Sequence, residues 1–146
     1  MLKDQLLQDL KDAMRDKDDL KKDTVQMIRA AILQIEKDSG EKLEDDKIMD
    51  VIAKEAKKRK DAAADFEKSG RQDLIDRNNT ELEIISSYLP KALSKEEIVD
   101  IVKAVIEEVG ATSIKDMGSV MKGAKEKIGV RADGKTINDV VRELLA

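Results

Sequence analysis

From Leu2 to Leu145 the apolar residues return at intervals of three and four, and proline interrupts the chain only once, at Pro90. A period of this kind gathers each set onto one face of a helix. Little else is available to build a core. The 146 residues include no Trp, one Tyr (Tyr88) and one Phe (Phe66), while 41% of them are charged. Leu, Ile, Val, Ala and Met must supply the burial, as thin stripes on otherwise solvated helices. The fold class that follows is all-α.

The stripes divide the chain. Leu2, Leu6, Leu10 and Met14, with Leu7 and Ala13 beside them, predict a first helix ending near residues 16–19. Leu20, Met27, Ile28, Ala31, Ile32 and Ile35 predict a second, closed by Ser39-Gly40, because glycine accepts the left-handed position that ends a helix. A third, capped by Glu44 or Asp45, carries Ile48, Val51, Ile52, Ala56, Ala62, Ala63 and Phe66. At the helical rise it is roughly 33–36 Å long. After Ser69-Gly70 a fourth buries Leu74, Ile75, Leu82, Ile85 and Leu89. Asn78 stands where that seam calls for an apolar residue. It is expected to be partly exposed, the sharper alternative being a polar contact that fixes register.

Leu89-Pro90 is the clearest boundary, since proline disfavours a helical residue before it and cannot continue a helix through itself. Beyond it, Ser94-Lys95-Glu96-Glu97 reads as a reciprocal capping box. Ile98, Ile101, Val102, Val105, Ile106 and Val109 then predict a helix closed by Gly110. The next is capped by Ser113 and carries Ile114, Met117, Val120, Met121, Ala124 and Ile128 to Gly129. The last is capped by Asp133 and carries Ile137, Val140, Val141, Leu144 and Leu145. Residues 1–89 are therefore expected to form an extended N-terminal domain of about four helices, and residues 90–146 a small three-helix domain.

Catalysis lacks its usual groups. There is no His and no Cys, which removes the common acid–base residue at neutral pH, the strongest nucleophile and the soft metal ligands. Asp45-Asp46, Glu96-Glu97 and Glu107-Glu108 are chain neighbours on helices, so their side chains diverge rather than converge. Ser86-Ser87 has no glycine-rich run beside it to form an oxyanion hole. No phosphate-binding glycine loop, dinucleotide fingerprint or calcium loop occurs. No catalytic residue, metal or cofactor is expected.

Binding is the remaining class. The net charge is −4, yet Lys115 to Lys135 holds six basic residues against three acidic ones. Lys122, Lys125, Lys127, Arg131 and Lys135 cluster around Arg131-Ala132-Asp133-Gly134-Lys135, where a helix start offers free N–H groups to a phosphate. Asp133, as the cap, opposes that by using some of the same donors. A secondary patch, Lys54, Lys57, Lys58, Arg59 and Lys60, lies on the third helix. It reads first as an ion-paired solvated face and second as an RNA-backbone contact, without the aromatic residues that stack single-stranded bases. The N-terminal residues lack the continuous apolar segment of a secretory signal, and no stretch approaches a membrane span. With cysteine absent as well, a bacterial, cytoplasmic protein is expected, with neither a membrane nor DNA as partner.

Several segments together resemble the YqeY-like family. They are Ser86-Ser87-Tyr88-Leu89-Pro90, Leu93-Ser94-Lys95-Glu96-Glu97, Met117-Gly118-Ser119-Val120-Met121 and Arg131-Ala132-Asp133-Gly134-Lys135. Lys57-Lys58-Arg59-Lys60-Asp61, Phe66-Glu67-Lys68 and Gly70-Arg71-Gln72-Asp73-Leu74 join them, in order along essentially the whole chain. The resemblance implies a long helical N-terminal domain and a C-terminal domain similar to the tail of the B subunit of glutamyl-tRNA(Gln)/aspartyl-tRNA(Asn) amidotransferase. In that enzyme the tail helps grip tRNA while the chemistry occurs elsewhere. Gly118, Lys127, Arg131 and Lys135 fall in the region matching its tRNA-facing part, and Gly134 lies beside them. The implied partners are tRNA or, as the alternative, an aminoacyl-tRNA synthetase or amidotransferase on which the chain docks. Any carbon–nitrogen ligase activity is implied by association only. The sequence departs from the family pattern after Met121, where Lys122 precedes Gly123-Ala124, Glu126 replaces a proline, and Gly129-Val130 replaces Lys-Gly.

Overall fold

A computed structural model describes residues 1–146 as seven α-helices with two short 3-10 turns and no strand. The helices are α1 (Leu2–Arg15), α2 (Asp19–Ser39), α3 (Asp45–Ser69), α4 (Gln72–Ser86), α5 (Lys95–Val109), α6 (Met117–Ile128) and α7 (Gly134–Leu145). The all-α expectation holds. The chain divides into two compact units, Met1–Leu89 and Pro90–Ala146. No helix is long and apolar enough to cross a membrane.

In the first unit α1 packs on α2 and α3 on α4, with α2 also touching both α3 and α4. Its core is Leu6, Leu10, Val25, Ile28, Ile32, Ile48, Ile52, Ala56 and Ile85. The helix ends follow local chemistry. Gly40 closes α2 at φ 74°, a conformation that costs an L side chain its Cβ clearance. The end of α1 is less ordinary, because the left-handed position belongs to Lys17 (φ 57°). The Asp18 N–H donates to the Ala13 carbonyl at 2.9 Å and the Lys17 N–H to Met14 at 3.3 Å, the paired bonds of a Schellman end.

Four residues of this unit depart from expectation. Met14 and Ile35 have the right phase for burial but are 59% and 40% exposed. Leu7 is also exposed, on the flank of α1 rather than its core face. Asn78 is buried, at 4% exposure, and its Nδ2 donates to the Arg59 carbonyl of α3 at 2.9 Å. A polar residue in the seam has found a partner on the facing helix, so burial costs it little.

The second unit closes α5, α6 and α7 around Ile98, Val102, Val105, Val120, Ala124, Ile128, Ile137, Val140, Val141 and Leu145. Ser94 caps α5 by accepting from the Glu97 N–H at 3.2 Å. The expected reciprocal bond is replaced, since the Ser94 hydroxyl itself donates to the Glu97 carboxylate at 3.2 Å. A complete capping box occurs instead at Ser113, with Asp116, and it opens a 3-10 turn (Ile114–Asp116) before α6 begins. Gly123 lets α5 and α6 approach, for a Cβ there would lie 2.7 Å from Val105 Cγ1.

Candidate binding surface

The core positions of α6 are Val120, Ala124 and Ile128, so their spacing turns Lys122, Lys125 and Lys127 outward. These lysines do not share one fate. Lys127 Nζ pairs with Glu108 of α5 at 2.5 Å. Arg131 is turned inward on its own turn, with Nε donating to the Ile128 carbonyl at 3.1 Å and Nη2 to the Lys127 carbonyl at 2.6 Å. It satisfies the acceptors left bare where α6 ends. The Arg131 carbonyl in turn accepts from the Leu93 N–H at 2.9 Å. Arg131 is therefore a brace, and its guanidinium is largely spent inside the chain.

Lys122, Lys125 and Lys135 remain exposed. The ion pairs of this unit are Lys95–Glu143 and Lys127–Glu108, so all three stay outside them. Asp133 caps α7 by accepting from the Thr136 N–H at 2.8 Å. Lys125 reaches that helix start, its Cε lying 3.9 Å from where a Cβ on Gly134 would stand. Two cations, Lys125 and Lys135, gather at the positive end of a helix, which the dipole does not favour. Gly118 lies in open space on the first turn of α6.

On the first unit the basic run of α3 separates in the same manner. Lys54, Lys57, Lys58 and Lys60 are exposed, and Lys58 pairs with Glu55 at 3.2 Å. Arg59 points into the helix packing. Its Nε meets Glu81 of α4 at 2.8 Å, its Nη1 lies 3.6 Å from Glu55, and its Nη2 donates to Met27 Sδ of α2 at 2.8 Å. Arg77 meets the other Glu81 oxygen at 3.0 Å. With Asn78 bonded to the Arg59 carbonyl, this network ties three helices together, and Arg59 is structural rather than available to a ligand.

The groups that could suggest chemistry have local work. The Ser87 hydroxyl donates to the Ile84 carbonyl at 2.6 Å. The Tyr88 hydroxyl donates to Asp9, and burial, then that bond and the aspartate charge, push the phenol well above its ordinary value. It stays protonated, so it is no nucleophile at neutral pH. The Glu36 carboxyl is held below its usual value by the Lys3 ammonium first and the Leu43 N–H second.

Fold and surface together describe a small two-unit helical protein with a lysine-bearing face on its second unit. The chain belongs to the YqeY-like protein family, whose model matches residues 3–145. Relatives called "Altered inheritance of mitochondria protein 41, mitochondrial" are similar to it. That of Kluyveromyces lactis is 41% identical over 97 residues, 64% of this chain and 52% of the relative. That of Eremothecium gossypii is 37% identical over 111 residues, 73% of this chain and 60% of the relative. In Pyrenophora tritici-repentis the match is 27% identical and runs over 142 residues, 94% of this chain and 77% of the relative. The chain spans about half the length of the first of these relatives. Neither the family description nor the relatives' names carries a catalytic activity.

These relatives are fungal and named as mitochondrial, which overturns the expectation of a bacterial, cytoplasmic protein. The features behind that expectation discriminate poorly. A missing apolar segment speaks only to secretory leaders, because organelle-targeting segments are amphipathic. Missing cysteines suit any reducing compartment.

Proposed function

We propose that the chain is a non-catalytic accessory protein of tRNA metabolism that contacts the RNA backbone through Lys122, Lys125 and Lys135. The observation that carries this reading is the exposure of these three lysines outside the unit's ion pairs, two of them at the N-terminus of α7. An ammonium that is already neutralised gains little from a phosphate, whereas an exposed, unpaired one releases counterions when it binds. The helix start adds its dipole to the same spot. The composition supports the non-catalytic part, since a chain with no His and no Cys lacks the side chains that most readily move protons or attack carbon at pH 7.

The experiment is filter binding of bulk tRNA to the full chain at low salt, beside the Lys122→Ala/Lys125→Ala/Lys135→Ala variant. Affinity should fall by at least about tenfold in the variant, uniformly across tRNA species. An unmodified chain that retains no tRNA, or a variant that binds equally well, contradicts the reading. Lys127→Ala alone should matter less, because Glu108 already engages that ammonium.

A further inference from the structure

A groove of about 180 Å³ opens on the first unit between α1 and α2. Leu6 and Ile32 form its floor, and Leu7 and Leu33 line its open side at 37% and 59% exposure. Arg29 lines it too. This arginine is partly buried yet enters no hydrogen bond or ion pair. Of the other charged groups, Lys3 is paired with Glu36, and Asp4 stands on the solvated rim. The groove therefore offers an apolar floor and one guanidinium that is solvated and unpaired within the chain, a fork whose natural complement is a carboxylate.

We propose that this groove docks an amphipathic helix of a partner protein that inserts one large aliphatic side chain and presents an Asp or Glu to Arg29. Size limits the occupant. Small-molecule sites run to roughly 300–1,000 Å³, whereas a dry cavity of about 150 Å³ takes a benzene-sized group; 180 Å³ therefore suits a single anchor side chain. Shape favours a helix, because the furrow between two antiparallel helices accepts the ridge of a third. RNA fits poorly here, since its phosphates would be desolvated against leucines with no aromatic residue to stack a base. The surface lies on a different unit from the three lysines, so it stands or falls independently of the RNA reading.

The test begins with a displayed library of sixteen-residue helical peptides that share an aliphatic stripe and have randomised flanks, selected on the full-length chain. Enriched peptides are then synthesised with a fluorophore and titrated by anisotropy. Enrichment should favour an acidic residue at one flank of the stripe. Replacing it by its amide should weaken binding about tenfold to the unmodified chain, with little change in binding to Arg29→Gln. Leu33→Glu should weaken binding by a similar factor or more, while leaving the melting transition in place because Leu33 is exposed. The proposal is overturned when no peptide enriches. It is equally overturned when the enriched peptides bind Arg29→Gln and Leu33→Glu as tightly as the unmodified chain, which would place them on another surface.

Discussion

A Cβ on Gly123 would meet Val105 Cγ1 at 2.7 Å, whereas one on Gly118, five residues earlier in α6, would meet nothing within 4 Å. Helix propensity favours Gly→Ala at both by up to about 1 kcal/mol. At Gly123 the clash decides the sign, because Val105 is buried and β-branched and so has little rotamer freedom to yield. Gly123→Ala should lower unfolding stability by about 1–2 kcal/mol, and Gly118→Ala should leave it level or raise it by a few tenths; paired denaturant melts distinguish the two. Asn78 poses a similar question of sign. Its bond to the Arg59 carbonyl lies in a buried seam, so Asn78→Ala should cost about 1–3 kcal/mol, and an unchanged midpoint would mean that the side chain only fills space. Arg59 shows where sequence reading stops. Its link to Glu55 is visible as an i, i+4 spacing, but Glu81 is 22 residues away and Met27 is 32. Such distant partners leave no trace in periodicity, and the arginine looks like its lysine neighbours until α2, α3 and α4 are packed.

At the scale of the elements, the last residues of the first unit are held to α1 by Tyr88 and Asp9. The folded phenol is pushed up from its usual value, so the folded chain holds that proton more tightly than the unfolded one. Stability from this source is complete below the unfolded value of about 10 and declines as pH rises beyond it. Tyr88→Phe should be less stable at pH 7 by about 1 kcal/mol, and its deficit should narrow as the pH passes 10; a deficit independent of pH would contradict this. The elements themselves were readable with few errors. Glycines at 40, 70 and 110 take left-handed conformations where stripes end, and Pro90 begins the second unit. The misses have a common cause. Met14 and Ile35 share the phase of buried residues, but phase says only which way a side chain points, not what packs over it. The 3-10 turn before α6 was invisible for a related reason, since Ser113 caps either kind of turn.

The whole molecule carries a net charge of −4, against which a cluster of exposed lysines on the second unit stands out. Its members were all present in the basic segment of the sequence, but their availability was not legible. Lys127 and Arg131 are as cationic as Lys122 and Lys125, and only the fold reveals that Glu108 and two carbonyls have claimed them. The groove with Arg29 was less legible still, because an unpaired cation is defined by the partners it lacks in three dimensions. On the proposed reading, three lysines rather than the summed charge engage phosphate. The salt dependence of tRNA affinity measures this directly. Three released counterions correspond to a slope of about −2.1 to −2.7 in log affinity against log salt, so raising salt from 50 to 200 mM should weaken binding by about 20- to 40-fold. Replacing Lys122, Lys125 and Lys135 together should bring the slope close to zero. A steep slope that survives their replacement, or a flat one in the unmodified chain, would contradict the claim.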